Sequence, residues 1–247
     1  MKFIDFTSFC GNWPFHSLVF NDLENLSKLH EKHGVTEAYV SSFEAIFYTD
    51  TFSADRELAK KLAAFPQYHH AICVNPTLDN WRANLNYALD NINVSAVRIY
   101  PCIHGYSLSD DCARSLAETL SEKKIPLLIS SYLVDSRLAH MIPTRSLSNN
   151  ECAEFMNHIN GIKVIFCGMK CAEILNLGKV NETALFDMSG LRDGCFTLER
   201  LCENGLSDRI VYGSGAPLFS ISASLTQLTL AEVSDDIKLF ISAGSAF

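Results

Sequence analysis

No apolar stretch among the 247 residues approaches the roughly 20 consecutive positions that a membrane-spanning helix needs. The opening Met1-Lys2-Phe3-Ile4-Asp5 meets a carboxylate before an apolar run builds up, so a secretion leader is not expected there. Basic charge is short too: 20 Lys and Arg against 28 Asp and Glu give a net charge of −8, which removes the attraction that nucleic-acid and anionic-lipid binders rely on. No Gly/Ser/Pro-rich linker, charge block or low-complexity tract divides the chain. Nothing like Gly-x-Gly-x-x-Gly follows the first apolar run, which continues Cys10-Gly11-Asn12-Trp13-Pro14, so dinucleotide binding has no warrant. A Gly-x-Ser-x-Gly elbow is missing, Gly213-Ser214-Gly215 is too short to replace it, and no phosphate-cradling loop is found. The nine cysteines are odd in number and irregular in spacing, which suits free thiols in a reducing compartment, and the cytoplasm is the expected location.

What remains is a globular composition, 48% hydrophobic and 19% charged, able to build one large core. Short β-branched or aromatic runs recur eight times, at Lys2–Phe9, Thr36–Ser41, His69–Val74, Ala96–Tyr100, Pro126–Ser130, Lys163–Cys167, Ala184–Met188 and Arg209–Tyr212. Several are apolar on both faces, as strands of a covered parallel sheet must be. Helical spacing follows each, at about 21–33, 53–64, 79–92, 109–123, 149–160, 170–177, 196–203 and 221–231. In the first helix Leu23, Leu26, Leu29 and His30 share a stripe and Gly34 is the stop. In the fourth, Ser109 is the expected cap. His30 and His33 are read as a solvated or dipole-stabilised pair. One strand–helix unit every 30 residues or so predicts an α/β fold, a single (β/α)8 TIM barrel spanning 1–247, with a doubly wound open sheet as the structural rival.

The strand ends carry a resemblance. The opening Phe3-Ile4-Asp5-Phe6-Thr7-Ser8-Phe9, then Val74-Asn75-Pro76, Val97-Arg98-Ile99-Tyr100-Pro101, Ile125-Pro126-Leu127-Leu128-Ile129, Val164-Ile165-Phe166 and Tyr212-Gly213-Ser214-Gly215-Ala216-Pro217 occur in the order seen in the amidohydrolase-2, decarboxylase-like branch of the amidohydrolase superfamily. The resemblance implies a barrel with its active site at the C-terminal strand ends. It also implies, in active members, a divalent metal held by an Asp-x-His-x-His motif on strand one, histidines ending strands five and six, and an Asp ending strand eight. Here those positions hold Thr7 and Phe9, Ser130, Gly168 and Gly215. A ring and a bare glycine donate no lone pair to a metal, so the ordinary site is expected to be absent and no cofactor is expected.

Polar residues nevertheless follow several strands. Arg98, if it points inward, places a permanent cation in the mouth to clamp an anion, and His104 before Gly105 and Tyr106 can sit in a turn and transfer protons near neutral pH. After strand five, Asp135 could orient an imidazole, Arg137 bind an anion, and His140 join them, in a pattern similar to a subgroup of the same branch. Asn12, Trp13, Glu44 and Asn75, from loops one to three, are further candidates to line a substrate pocket. Two functions follow. One is a metal-independent acid/base hydrolase or lyase acting on a small carboxylated or cyclic substrate, with His104, Asp135 and His140 catalytic and Arg98, Tyr106, Arg137, Trp13, Asn12, Glu44 and Asn75 binding. The other is a degenerate barrel that binds a small molecule or a protein partner and catalyses nothing; a third, smaller option is a relocated metal site. A pocket joining His104 to Arg98 or Asp135 favours the enzyme, and side chains plugging the mouth around Phe9 and Trp13 favour the binder. Nucleic acid and membrane are not expected partners, and a homo-oligomer stays open.

Overall fold

The computed structural model describes residues 2–134, 140–142, 145–192, 194 and 196–247. Eight strands, β1 (Phe3–Cys10), β2 (Val35–Ser42), β3 (Tyr68–Cys73), β4 (Val94–Ile99), β5 (Leu127–Ser130), β6 (Val164–Cys167), β7 (Leu185–Asp187) and β8 (Ile210–Val211), lie in one parallel sheet in chain order. β8 and β1 close it: Phe6 N donates to Tyr212 O at 3.0 Å, Gly215 N to Thr7 O at 2.7 Å and Phe9 N to Ala216 O at 2.8 Å. The open-sheet alternative is thereby excluded.

The main helices are α1 (Leu23–Lys32), α2 (Glu44–Phe47), α3 (Thr51–Leu62), α4 (Trp81–Asn91), α5 (Pro101–His104), α6 (Asp111–Lys123), α7 (Asn149–His158), α8 (Cys171–Val180), α9 (Thr197–Glu203), α10 (Ile221–Leu230) and α11 (Asp235–Ser242). Eight fall within about two residues of their predicted ends, save that α8 runs three residues further. The two single-turn helices α2 and α5 and the last helix, α11, were not anticipated. The α6 cap moves by one residue, to Asp110, whose carboxylate is turned to the Ser107 N–H at 2.8 Å. His30 is not solvated. Its ring is 2% exposed and bonded to Tyr68 at 2.9 Å and Ser8 at 3.2 Å, and burial pushes its pKa down to about 4.

The sheet divides the apolar side chains into three groups. Outward residues such as Val97, Ile99, Ile129 and Phe166 meet the helices. Inward residues Phe6, Ala71, Ala96, Leu128, Ile165, Leu185 and Val211 fill the barrel, and Phe240 and Phe247 close its N-terminal end, Phe6 and Phe247 lying 4.9 Å apart. A third group covers the C-terminal end, where the functional residues of barrel enzymes stand.

Candidate functional site

Strand alternation turns Arg98 of β4 into the barrel, one position beyond Val97 and two before Tyr100. Its side chain is completely buried. One Nη donates to the Phe6 carbonyl of β1 at 2.7 Å, and the guanidinium lies 5.1 Å from the Phe9 ring centroid. Its positive charge is felt by Cys73 of β3, Tyr100, Cys167 of β6 and Asp187 of β7, which locates it among the inward residues of the upper barrel. Nε and the other Nη have no partner, and neither do the buried Tyr100 hydroxyl and Ser130 Oγ.

Above this layer the mouth is filled on the β1–β5 side. Phe9, fully buried, stacks on Phe43 at 4.9 Å, and Trp13, 3% exposed, meets Phe43 edge-on at 5.1 Å and Phe47 at 5.5 Å. Leu133, Val134 and Ile142 complete the cover. Phe6 and Phe9 are three positions apart yet both face inward because the β1–β2 register shifts between Asp5 and Ser8; Phe43 follows β2, and Trp13 returns over both rings after the Gly11 turn.

On the β6–β8 side the organising group is Asp187, which sequence reading missed. Its Oδ1 accepts from Gly168 N at 2.9 Å, Ser189 N at 3.1 Å and Ser189 Oγ at 2.8 Å, and its Oδ2 from Thr7 Oγ1 at 2.5 Å. Burial raises its pKa against those donors. The signal available beforehand was only a carboxylate at a strand end. Next to it a cleft of about 1070 Å³ opens between the β7 and β8 connections, lined by Ser189, Arg192, Ser214, Phe219 and Gln227 among mainly apolar neighbours. Arg192 stacks on Phe219 and donates to the Ser189 carbonyl, and burial of its inner part lowers its pKa to about 10.

The other sequence-predicted residues are scattered. His104, at the end of α5, donates Nε2–H to the Ile46 carbonyl at 2.9 Å; its Nδ1 has no partner, and burial lowers its pKa, so the ring is neutral. Its ring centroid is 5.8 Å from that of Tyr100, but none of the clefts found among the described residues joins it to Arg98. Tyr106 is buried among the outer helices, its hydroxyl unpartnered. Glu44 accepts from Asn12 N at 2.6 Å and Ser42 Oγ at 2.9 Å and so ties the first two loops together. Asn75 closes its own turn on Thr77. Trp13 belongs to the cover, and His140 is exposed. Asp135 and Arg137 lie outside the described residues.

No family model and no curated protein matches the sequence. Solved structures do. A 2,6-dihydroxybenzoate decarboxylase from Rhizobium matches with a TM-score of 0.72 at 12% identity over 98% of this chain and 96% of that one. A dihydroxybenzoic acid decarboxylase from Polaromonas sp., with bound manganese and the inhibitor 2-nitroresorcinol, gives 0.73 at 14% over 99% and 95%. An uncharacterized TIM-barrel protein from Bordetella bronchiseptica gives 0.75 at 12% over 100% and 97%. The fold is that of the amidohydrolase-2 barrels.

The rim of this barrel does not fit a divalent cation. Phe9 is packed into the cover. At Gly168, φ is +82° and a side chain would run into the Tyr132 carbonyl; at Gly215, φ is +70° and a Cβ would stand 2.5 Å from the Phe219 ring and 3.4 Å from Arg192. At the other expected positions stand the hydroxyls of Thr7 and Ser130, and the nearby Asp187 carboxylate already accepts four hydrogen bonds and feels the Arg98 charge. Among the described residues no group of three or more His, Cys, Asp or Glu is assembled to hold a metal.

Proposed function

We propose that this chain is an amidohydrolase-fold barrel that has lost the metal centre and binds a small ring-bearing carboxylate without transforming it. The observation that carries the reading is the cover: Phe9, Phe43 and Trp13 occupy the mouth where a barrel enzyme receives its substrate, with Arg98 sealed beneath them. His104 is neutral and held to a backbone carbonyl, away from any of the clefts found. A cleft beside Ser189, Arg192 and Phe219 combines mainly apolar walls with hydroxyls, the Arg192 cation and, among its lining, the Glu199 carboxylate, and mostly apolar walls with a few polar groups are the usual composition of a small-molecule site. An aromatic carboxylate is matched by both elements: the ring lies against Phe219 and the apolar walls, and the carboxylate meets the Arg192 fork. The Rhizobium and Polaromonas neighbours act on dihydroxybenzoic acids, which agrees with that ligand class.

The test is calorimetric titration with 2,6-dihydroxybenzoate and benzoate, with and without EDTA, alongside chromatographic assay for decarboxylation. Binding that survives EDTA and weakens about tenfold or more in Arg192→Met supports the reading, since a hydrogen bond to a charged group contributes roughly 1.5–3 kcal/mol. Turnover that scales with protein and disappears in His104→Ala, or that requires added Mn2+, would sink it.

A further inference from the structure

The geometry points to a second site inside the barrel: a small monovalent anion, of the size of chloride, formate or bicarbonate, held by the free N–H groups of Arg98 together with Ser130 Oγ and the Tyr100 hydroxyl. It lies beneath the aromatic cover, apart from the Arg192 cleft, and does not depend on the ligand read there.

Arg98 cannot discharge itself by losing a proton, because a guanidinium stays charged in any protein interior. Its side chain is 0% exposed, and only one of its nitrogens is satisfied, by the Phe6 carbonyl. Among the described residues no carboxylate forms an ion pair with it. Asp187 is the nearest in effect, yet its carboxylate is engaged by Thr7, Gly168 and Ser189 and not by the guanidinium. Burial raises the Asp187 carboxyl and the thiols of Cys73 and Cys167, the last to about 12, and the Arg98 charge opposes each rise without a contact ion pair forming. The Phe9 ring face, 5.1 Å away, offsets the cation only partly.

A water molecule would satisfy hydrogen bonds but bring no charge into contact with the guanidinium, and a buried charge without a contacting partner is far costlier than an unpaired polar group. The sheet supplies the missing partners. Register pairs Arg98 with Leu128, so the inward residue one layer higher on β5 is Ser130, and Tyr100 lies two residues beyond Arg98, just past the end of β4. The Ser130 hydroxyl is buried and bonded to nothing, and the buried Tyr100 hydroxyl has only the Ser41 side chain beside it. Two guanidinium donors and two hydroxyls able to turn their O–H toward the same ion stand in adjacent layers of the barrel, and the fixed positive charge of Arg98 selects an anion and rejects a cation. The narrow interior, filled below by Leu128 and Ile165, favours a small ion over sulfate or a large organic acid.

The experiment uses the full chain, dialysed into sodium gluconate and then titrated with chloride, bromide, formate or bicarbonate at fixed ionic strength while the melting temperature is read. A saturable rise with the small anions and none with sulfate is expected, the rank among the four naming the preferred ion. Ser130→Ala and Tyr100→Phe each raise the midpoint concentration by about tenfold, and Arg98→Met abolishes the response; if Arg98→Met does not fold, the other two variants carry the test. A bromide-soaked crystal should show an anomalous peak within hydrogen-bond reach of Arg98. Equal shifts with gluconate, sulfate and chloride, unchanged midpoints in the Ser130 and Tyr100 variants, or no peak beside Arg98 would overturn the site. These readouts are blind to turnover and to the Arg192 cleft, so either proposal can fail while the other stands.

Discussion

Thr7 donates its hydroxyl to the Asp187 carboxylate at 2.5 Å, joining β1 to β7 past β8 across 180 residues of chain. The pair stands at the rim level where the resemblance leads one to expect a metal, and it converts that level into a hydrogen-bonded brace. Asp187 is completely buried, and its burial raises the folded-state pKa above the usual 3.8. An acid raised on folding contributes its full stability below its unfolded pKa and loses it as pH climbs through the folded value. Asp187→Asn has no such group. Urea unfolding at pH 4, 6 and 8 should therefore show wild type exceeding the Asn variant most at pH 4, with the gap narrowing upward; a gap that widens with pH contradicts the assignment.

His30 titrates the other way. Its pKa falls from 6.5 to about 4 on folding because the ring is buried against Tyr68 and Ser8. The unfolded chain takes up a proton near pH 6.5 that the folded chain refuses, so stability drains away between about 6.5 and 4. The full effect is roughly 3 kcal/mol on the scale of 1.36 kcal/mol per pKa unit. His30→Gln, compared with wild type at pH 7 and pH 5, should lose less stability on acidification.

Phe9→Ala should cost about 3–5 kcal/mol in urea unfolding at pH 7, the range for emptying a fully buried aromatic site. Phe9→Leu should cost distinctly less, because it keeps most of the apolar volume. A loss under 1 kcal/mol for the Ala variant would mean that the ring is not part of a packed cover.

Gly168→Ala places a side chain against the Tyr132 carbonyl at a φ of +82°. Both the close approach and the left-handed backbone oppose it, and a loss of at least about 2 kcal/mol is expected. Gly215→Asp, which restores the carboxylate implied by the resemblance, should likewise destabilise the chain, and added Zn2+ or Mn2+ should not recover the melting temperature. Recovery by either metal would show that the rim can still be rebuilt as a cation site.

The architecture was legible because it rests on periodicity. Runs such as Ile125-Pro126-Leu127-Leu128-Ile129 and Val164-Ile165-Phe166 are apolar on both faces, and of the first helix stripe Leu23, Leu26 and His30 are buried and Leu29 half-buried. What escaped is set by tertiary contact. α11 carries its cap at Ser234, whose hydroxyl accepts from Ile237 N, and a single serine in a polar stretch gives little warning of it. The inward or outward choice for Arg98 was visible as a choice; its sealing under Phe9 was not, because the cover is assembled from loops one, two and five. Asp187 is an ordinary strand-end acid until Thr7, Gly168 and Ser189 converge on it. His104 was readable as a turn histidine, and its Ile46 partner, 58 positions earlier, was not.

The barrel seam has a consequence for how the chain assembles. β1 leans on β2 from one side, but its other edge is met only by Tyr212, Gly215 and Ala216, and Asp5 finds its Ser214 donors 209 positions further along. Until that late segment is made, the first strand carries a raw edge and a carboxylate with only its local donors, Thr7 N and Ser8 Oγ. Contacts so remote in sequence slow the search for the native arrangement, and the interval before the ring shuts is when this protein most needs protection from pairing with a neighbour.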